Sequence, residues 1–384
     1  MNRHYKTLTT LVMGLGVYTS VAAETSLLDM TPQTCLQDFE YTENLILKND
    51  AGVVAKKWDG YPETIQQLVE QQKAKISAVQ NTLDCRDAIQ PFLNSMRGGH
   101  HLGVIVEPEL YAASEKAAEK FKSAERITGQ QHDNEIEKVS TKKLSESTTL
   151  LTILSFDHTL YEKIKQVVIS NQDDLLTAPF LIIDLRSNGG GSDHSASILF
   201  KILGEAEYRS QYPAIYASSA NIEGWEAYRS GMPNQAALEE LNHKIEKMRA
   251  HPNQWVDMFD SNEGREFISG QDILATPQKV VILTDKNCGS SCEQFVLDAR
   301  QNPRVVTMGR PTTGALDASN IMEKLSPSKK LVIYYASTYV HRPAGQEIDE
   351  IGIPPDISLA RPQNKAEYDA EIQFVQRYLE AGQR

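Results

Sequence analysis

The chain lacks a second long uncharged apolar run. The stretch from Leu8 to Val21 is itself too short and too rich in Thr and Gly to be read as a membrane span, and no other long uncharged apolar run follows in the 384 residues. An excess of positive charge is missing too. Lys and Arg number 39 against 51 Asp and Glu, a formal net charge of −12, which argues against nucleic acid or an anionic membrane surface as partner. There is no HExxH spacing and no Gly-Lys-Ser/Thr loop, so neither a zinc peptidase site nor a phosphate-cradling P-loop is available, and no metal or cofactor is expected. Internal repeats and low-complexity tracts are also absent, which excludes a solenoid. Cysteines number only four, and none follows the apolar stretch closely enough for lipid attachment in the bacterial lipoprotein manner.

What is present begins with Met-Asn-Arg-His-Tyr-Lys, the apolar stretch, and Val21-Ala22-Ala23 before Glu24. Residues 1–23 read as a secretory signal peptide with small residues at the cleavage site. The expectation is an exported chain, periplasmic in a host with two membranes or otherwise secreted. Removing Arg3 and Lys6 with the leader makes the remainder more acidic still. An even number of cysteines suits an oxidising compartment. Of the three possible pairings, Cys35 with Cys85 and Cys288 with Cys292 are the local choices, and the second would stiffen the turn it spans. A rival role for Cys288 or Cys292 is that of a thiol nucleophile.

Helical spacing dominates Thr31 to Met96, so residues 24–97 are expected to form a small helical domain stapled by Cys35 and Cys85. A Gly-Gly-His-His turn at 98–101 leads into a strand at Leu102 to Val106. Residues 107–147 are polar and read as a solvent-facing excursion, with a helical stretch from Leu110 to Ala124. Strands and helices then alternate from Thr149, as they do in a mostly parallel sheet. This gives an α/β core in two parts, 98–204 and 276–384, the second closed by a helix from Lys365 to Leu379. Residues 205–275 interrupt it and read as a helical insertion or lid.

The chemistry-bearing segments are four. Ser290 lies in NCGSSCE, after the β-branched run KVVIL (279–283) and before the helical pattern EQFVLDAR (293–300). A serine on so tight a turn has an exposed hydroxyl beside the unpaired N–H groups of a helix start; a plain N-cap is the alternative. His100, in the Gly-Gly-His-His turn, can act as a general base at the top of a sheet. In DLRSNGGG (184–191) a buried strand runs into three glycines, whose backbone can approach a ligand closely. RPAGQEIDEIGIPPDI (342–357) offers Glu347, Asp349 and Glu350, any of which can orient a histidine.

The order of these segments resembles the C-terminal-processing (tail-specific) protease and tricorn core protease superfamily of serine peptidases. DLRSNGGG is similar to that family's DLRxNxGG, GSSCE to its SAxxE, GRPTTG to its GExTxG, IDEIGIPPDI to its closing E-x-x-G-V-x-P-D-I, and GGHH to the D-G-H-T of members with a histidine base. The resemblance spans roughly residues 35–358. It implies a crotonase-like (ClpP/crotonase) α/β core and hydrolysis of peptide bonds in a peptide or unfolded protein. It also implies Ser290 as nucleophile, His100 as base, Asp349 as orienting acid, and N–H groups of Gly190 and Ser291 as oxyanion hole. Ala315 occupies the position of the lysine base of tail-specific members, so the base must be histidine. No glycine-rich carboxylate-binding loop lies between His101 and Thr148, so a PDZ domain is not expected. A catalytically inactive chain on the same scaffold, binding a peptide or apolar ligand, is the alternative.

Overall fold

The computed structural model describes residues 28–56, 62–98, 101–110, 138–203, 210–232, 234–259 and 277–381. The expected leader (1–23), the helical stretch beyond Leu110 and His100 lie outside the described residues. In chain order the helices α1 (Pro32–Asn49), α2 (Ala51–Ala55), α3 (Glu63–Ile76) and α4 (Thr82–Met96) come first, followed by strands β1 (Gly103–Val106), β2 (Val139–Lys143) and β3 (Thr148–Ile153). Next are α5 (Tyr161–Ser170), α6 (Gln172–Thr177), β4 (Phe180–Asp184), α7 (Asp193–Ala196), α8 (Phe200–Leu203), β5 (Ala214–Tyr216), α9 (Ser219–Ala227), α10 (Gln235–Ala250) and β6 (Trp255–Asp257). The chain closes with β7 (Lys279–Thr284), α11 (Ser291–Ala299), β8 (Val305–Gly309), β9 (Ala318–Leu325), β10 (Leu331–Tyr339), β11 (Ile357–Ser358) and α12 (Lys365–Glu380).

One sheet has the order β11-β8-β7-β4-β3-β2, parallel throughout except for β2 at its edge. Its central strands FLIID and KVVILT are apolar on both faces because both faces are covered. Leu181, Ile183, Val280 and Ile282 pack against Ile164, Phe295 and Val296 on one side. Ile182, Val281 and Leu283 pack against Val375 and Leu379 of α12 on the other. Arg186, at the end of β4, fastens that helix. It forms a fork with Asp184 at 2.8 and 2.7 Å, donates to Glu371 and to the Tyr368 carbonyl at 2.7 Å, and lies 3.7 Å from the Tyr368 ring centre.

A second, antiparallel sheet was not expected from the sequence. β9 and β10 form a long hairpin, β1 pairs with the first half of β10, and β5 with the last residues of β10, while β6 pairs with β5. Residues 205–275 are therefore not solely helical: besides α9 and α10 they supply β5 and β6. Ile215, Trp225, Leu241, Ile245 and Val256 from this segment share one apolar core with Phe39, Ile46, Phe92 and Leu93 of the N-terminal helices. Both expected cysteine pairs are joined, Cys35 to Cys85 and Cys288 to Cys292, with Cα separations of 5.6 and 5.4 Å. All four cysteines are fully buried and bridged, so with both bridges formed none is left as a thiol nucleophile.

Candidate active site

β4, β7 and β8 are neighbours in the parallel sheet, so their carboxyl ends open side by side. That edge is where α/β sheets place their sites. From β4 the chain enters the glycine turn 188–191, from β7 it enters 285–290, and from β8 it enters 310–314. Two of the four chemistry-bearing segments, and the GRPTTG motif with them, thus meet because of strand order.

Ser290 is half-buried and has φ 54° and ψ −122°, a backbone conformation that side-chain-bearing residues rarely adopt. It ends the strand-to-helix turn and stands at the start of α11. Glu293, one turn into the helix and fully buried, receives four hydrogen bonds. Its Oε2 accepts from the N–H groups of Ser290 (3.0 Å) and Ala315 (2.8 Å), and its Oε1 accepts from Thr312 Oγ1 (2.6 Å) and the Gly314 N–H (2.7 Å). Burial pushes its carboxyl above the ordinary value even though all four donors favour the charged form. Glu293 therefore locks the serine turn onto the Thr312–Ala315 turn, and Ala315 acts through its N–H.

Gly190 lies directly against this turn. A Cβ there would sit 2.5 Å from the Gly289 carbonyl oxygen and 2.8 Å from Ser290 Cβ, and the residue has φ +93°. Only glycine fits. Its N–H donates to Asn188 Oδ1 at 2.9 Å, so Gly190 gives close approach while its own donor is engaged. Gly191 differs: it forms a parallel bridge with Phe156 through the groups on either side of it, Phe156 N–H to the Gly190 carbonyl (3.0 Å) and Ser192 N–H to the Phe156 carbonyl (2.8 Å). In that pattern the Gly191 N–H points away from Phe156, and Gly191 lines the cleft beside Ser290 and Ser291. The Ser291 N–H belongs to the first turn of α11, where an N–H has no partner within the helix.

A cleft of about 660 Å³ opens over Ser290. Its walls come from α7, from α11 through Gln294 and Asp298, from the start of β9, and from the 210–259 segment through Tyr212, Trp225, Tyr228 and Phe259. The described part of the segment expected to act as a lid thus forms one side of the cleft.

The turn that carries the histidines is fastened at both ends. Arg97 forms a buried fork with Asp50, 2.9 Å at each contact, and donates to the His101 carbonyl at 2.8 Å. Burial works against the Arg97 charge, but Asp50 more than offsets it and Asp349 and Glu350 add to the effect, so the guanidinium is held above its ordinary value. On the other side Glu350 Oε1 accepts the Gly98 N–H at 2.8 Å. His100 lies outside the described residues. Its neighbour His101, which the motif reading passed over, is buried, lines the same cleft as Ser290, and has Nδ1 2.6 Å from the Ala318 carbonyl oxygen. A carbonyl can only accept, so this contact places a proton on Nδ1.

The three candidate acids separate in space. Exposed Glu347 accepts the Gly345 N–H of its own turn at 2.7 Å. Asp349 Oδ1 accepts the N–H groups of Leu316 and Asp317, each at 2.7 Å, and Oδ2 that of Ala318 at 3.0 Å. Burial pushes the Asp349 carboxyl up to about 6; the Ala318 and Asp317 N–H donors and Arg97 pull it down, and the neighbouring Asp317 carboxylate adds to the rise. Through the N–H and the carbonyl of Ala318, Asp349 and His101 are held on one strand start. Among the described residues no group of His, Cys, Asp and Glu is placed to hold a metal, and no helix is long and apolar enough to cross a membrane.

Comparison with known proteins gives a consistent result. The model of peptidase family S41 matches residues 147–359, more than half of the chain. Mature CPAF is similar at a TM-score of 0.60 and 12% identity over 91% of this chain and 96% of that one. Mature CPAF complexed with lactacystin gives 0.59, also at 12% identity, over 91% and 98%. A protein of Parabacteroides merdae ATCC 43184 gives 0.53 at 15% identity over 91% and 97%. At these identities the likeness is one of fold. No curated protein matches the chain.

Proposed function

The chain belongs to peptidase family S41 and is a serine peptidase of mixed α/β fold, and from that premise we propose that it is an exported endopeptidase acting through an acyl-enzyme on Ser290. The observation that carries this reading is the Ser290 turn. A serine in a rarely populated backbone conformation, with a helix N-terminus behind it and a cleft in front, has the arrangement a nucleophile needs.

In this mechanism a histidine takes the proton from Ser290 Oγ as the hydroxyl attacks the scissile carbonyl. The tetrahedral oxyanion is received by the Ser291 N–H and by a glycine N–H of the 189–191 turn. The orientation of the Gly191 N–H favours Gly191 over Gly190 for that second donor. The protonated histidine then passes its proton to the leaving amine, and water, activated by the same base, releases the acyl group. Asp349 serves as the acid that steadies the base. The resemblance of GGHH to D-G-H-T favours His100 as that base. A second reading assigns the role to His101, because its ring is fixed by Ala318, whose N–H Asp349 holds.

The substrate is a peptide or an unfolded chain, matched to the open cleft. Export is supported by the leader-like residues 1–23 and by two buried disulfides, which persist in oxidising compartments such as the periplasm. The test is hydrolysis of casein by the wild-type chain and by Ser290→Ala, His100→Ala and His101→Ala, with folding checked by circular dichroism. Loss of activity in Ser290→Ala and in one of the two histidine variants is expected. Undiminished hydrolysis by folded Ser290→Ala would overturn the reading.

A further inference from the structure

We propose that the Cys288–Cys292 bridge is a positioning element of the nucleophile, so that Ser290 becomes reactive only when the bridge has formed. This rests on the peptidase reading above. The two cysteines bracket Ser290 at a separation of four residues, while Cys35 and Cys85 are 50 apart. The stabilisation a disulfide gives by restricting the unfolded chain grows with the loop it closes. A bridge over four residues constrains little of the unfolded chain, and what it fixes is local. It encloses Gly289, Ser290 and Ser291, and the middle one is the residue at φ 54° and ψ −122°.

The surroundings support a local role. Cys288 and Cys292 are fully buried in the apolar cluster with Phe295 and Leu316, beneath the turn. Cys288 is further tied by its N–H to the Asp285 carbonyl (3.0 Å) and by its carbonyl to the Thr313 N–H (2.8 Å). Gly289 donates to the Asn188 carbonyl at 3.2 Å, and the Cys292 N–H returns to the Gly289 carbonyl at 3.0 Å. Glu293 holds the Ser290 N–H from the helix side. A residue in a rarely populated conformation persists when its neighbours over-determine it. The bridge is the covalent member of that set, the one that depends on redox conditions.

Formation of the bridge joins the two thiols by exchange with a disulfide oxidant. The two sulfurs lose two electrons and two protons, and the oxidant becomes two thiols. A chain still in a reducing compartment would carry an unclamped Ser290 turn, and hydrolytic activity would arise on oxidation.

The experiment compares the oxidised wild type, Cys288→Ala/Cys292→Ala and Cys35→Ala/Cys85→Ala. Its readouts are kcat and KM on casein and the rate of Ser290 labelling by a fluorophosphonate. Loss of the 288–292 bridge should lower kcat and the labelling rate by about 10²-fold, as expected for a displaced reacting group, with KM within about twofold. Loss of the 35–85 bridge should lower the Tm and leave kcat near wild type below that Tm. Wild-type protein taken through reduction with dithiothreitol and reoxidation with glutathione disulfide, with bridge content followed by mass spectrometry, provides the same readout without substitution. Labelling should rise and fall with the 288–292 bridge. Equal labelling of bridged and unbridged chains overturns the inference alone. An oxidised wild type that neither labels nor hydrolyses overturns the peptidase reading as well.

Discussion

Asp317 and Asp349 hold each other's backbone: Asp349 Oδ1 accepts the Asp317 N–H at 2.7 Å, and Asp317 Oδ2 accepts the Asp349 N–H at 3.0 Å. Asp349 takes two further N–H groups, from Leu316 and Ala318, Asp317 takes that of Ile348, and Asp317 also pairs with Arg342. Two loops distant in sequence are thereby fixed beside the histidine turn. Burial is what chiefly raises the Asp349 carboxyl to about 6, and the neighbouring Asp317 carboxylate adds to that rise.

The first prediction follows from that rise. With a folded value of about 6 against an ordinary 3.8, Asp349 binds its proton more tightly in the folded chain than in the unfolded one. Its contribution to stability is fully present below about pH 4 and is lost as pH rises through about 6. The stability of the wild type relative to Asp349→Asn, measured by thermal melts from about pH 4 to 7.5, should decline over that interval. A difference independent of pH would contradict the assignment.

Glu293→Gln tests the four-donor hub. An amide nitrogen cannot accept, so donors now satisfied by one carboxylate oxygen would face another donor. A loss of about 1–3 kcal/mol in urea unfolding is expected, together with a lower kcat, since the Ser290 turn and the Thr312–Ala315 turn share this residue. Unchanged stability and unchanged kcat would count against it.

Gly190→Ala should fold and fail to turn over. The added methyl meets the Gly289 carbonyl at 2.5 Å and Ser290 Cβ at 2.8 Å, so the glycine turn or the serine must move. A displacement of this order is expected to reduce kcat by about 10²-fold, with the circular dichroism spectrum retained.

Arg97→Met leaves Asp50 as an uncompensated buried charge and is expected to destabilise the chain by about 3–5 kcal/mol, read from the urea midpoint. It also frees the His101 carbonyl from its donor. Activity should therefore fall even below the unfolding transition. Arg97→Lys should fall short of wild type in both, because an ammonium cannot reproduce the fork.

Much of the parallel sheet was legible because runs such as FLIID and KVVIL are buried on both faces and need no partner to be recognised. Cys288 and Cys292 were legible as a pair from their spacing. The antiparallel sheet was not. β5 and β6 are three residues each and exist only through pairing with each other and with the end of β10. β9 carries polar residues and Asn320 at φ 54°, which blurs its alternation. The serine turn could be read from the strand-to-helix switch around it. The commitment of the Gly190 N–H to Asn188, the use of Asp349 on three backbone N–H groups, and the contact of His101 with Ala318 are backbone pairings. They depend on which loops meet, and sequence spacing does not encode that.

The central claim is that Ser290 is the nucleophile of this peptidase. Its most direct test is fluorophosphonate labelling of the oxidised chain, with the modified residue identified by peptide mass spectrometry. A single adduct on Ser290, absent from Ser290→Ala and suppressed by casein, is the expected result. An adduct on another residue, or none on a folded, oxidised chain that hydrolyses casein, would contradict it.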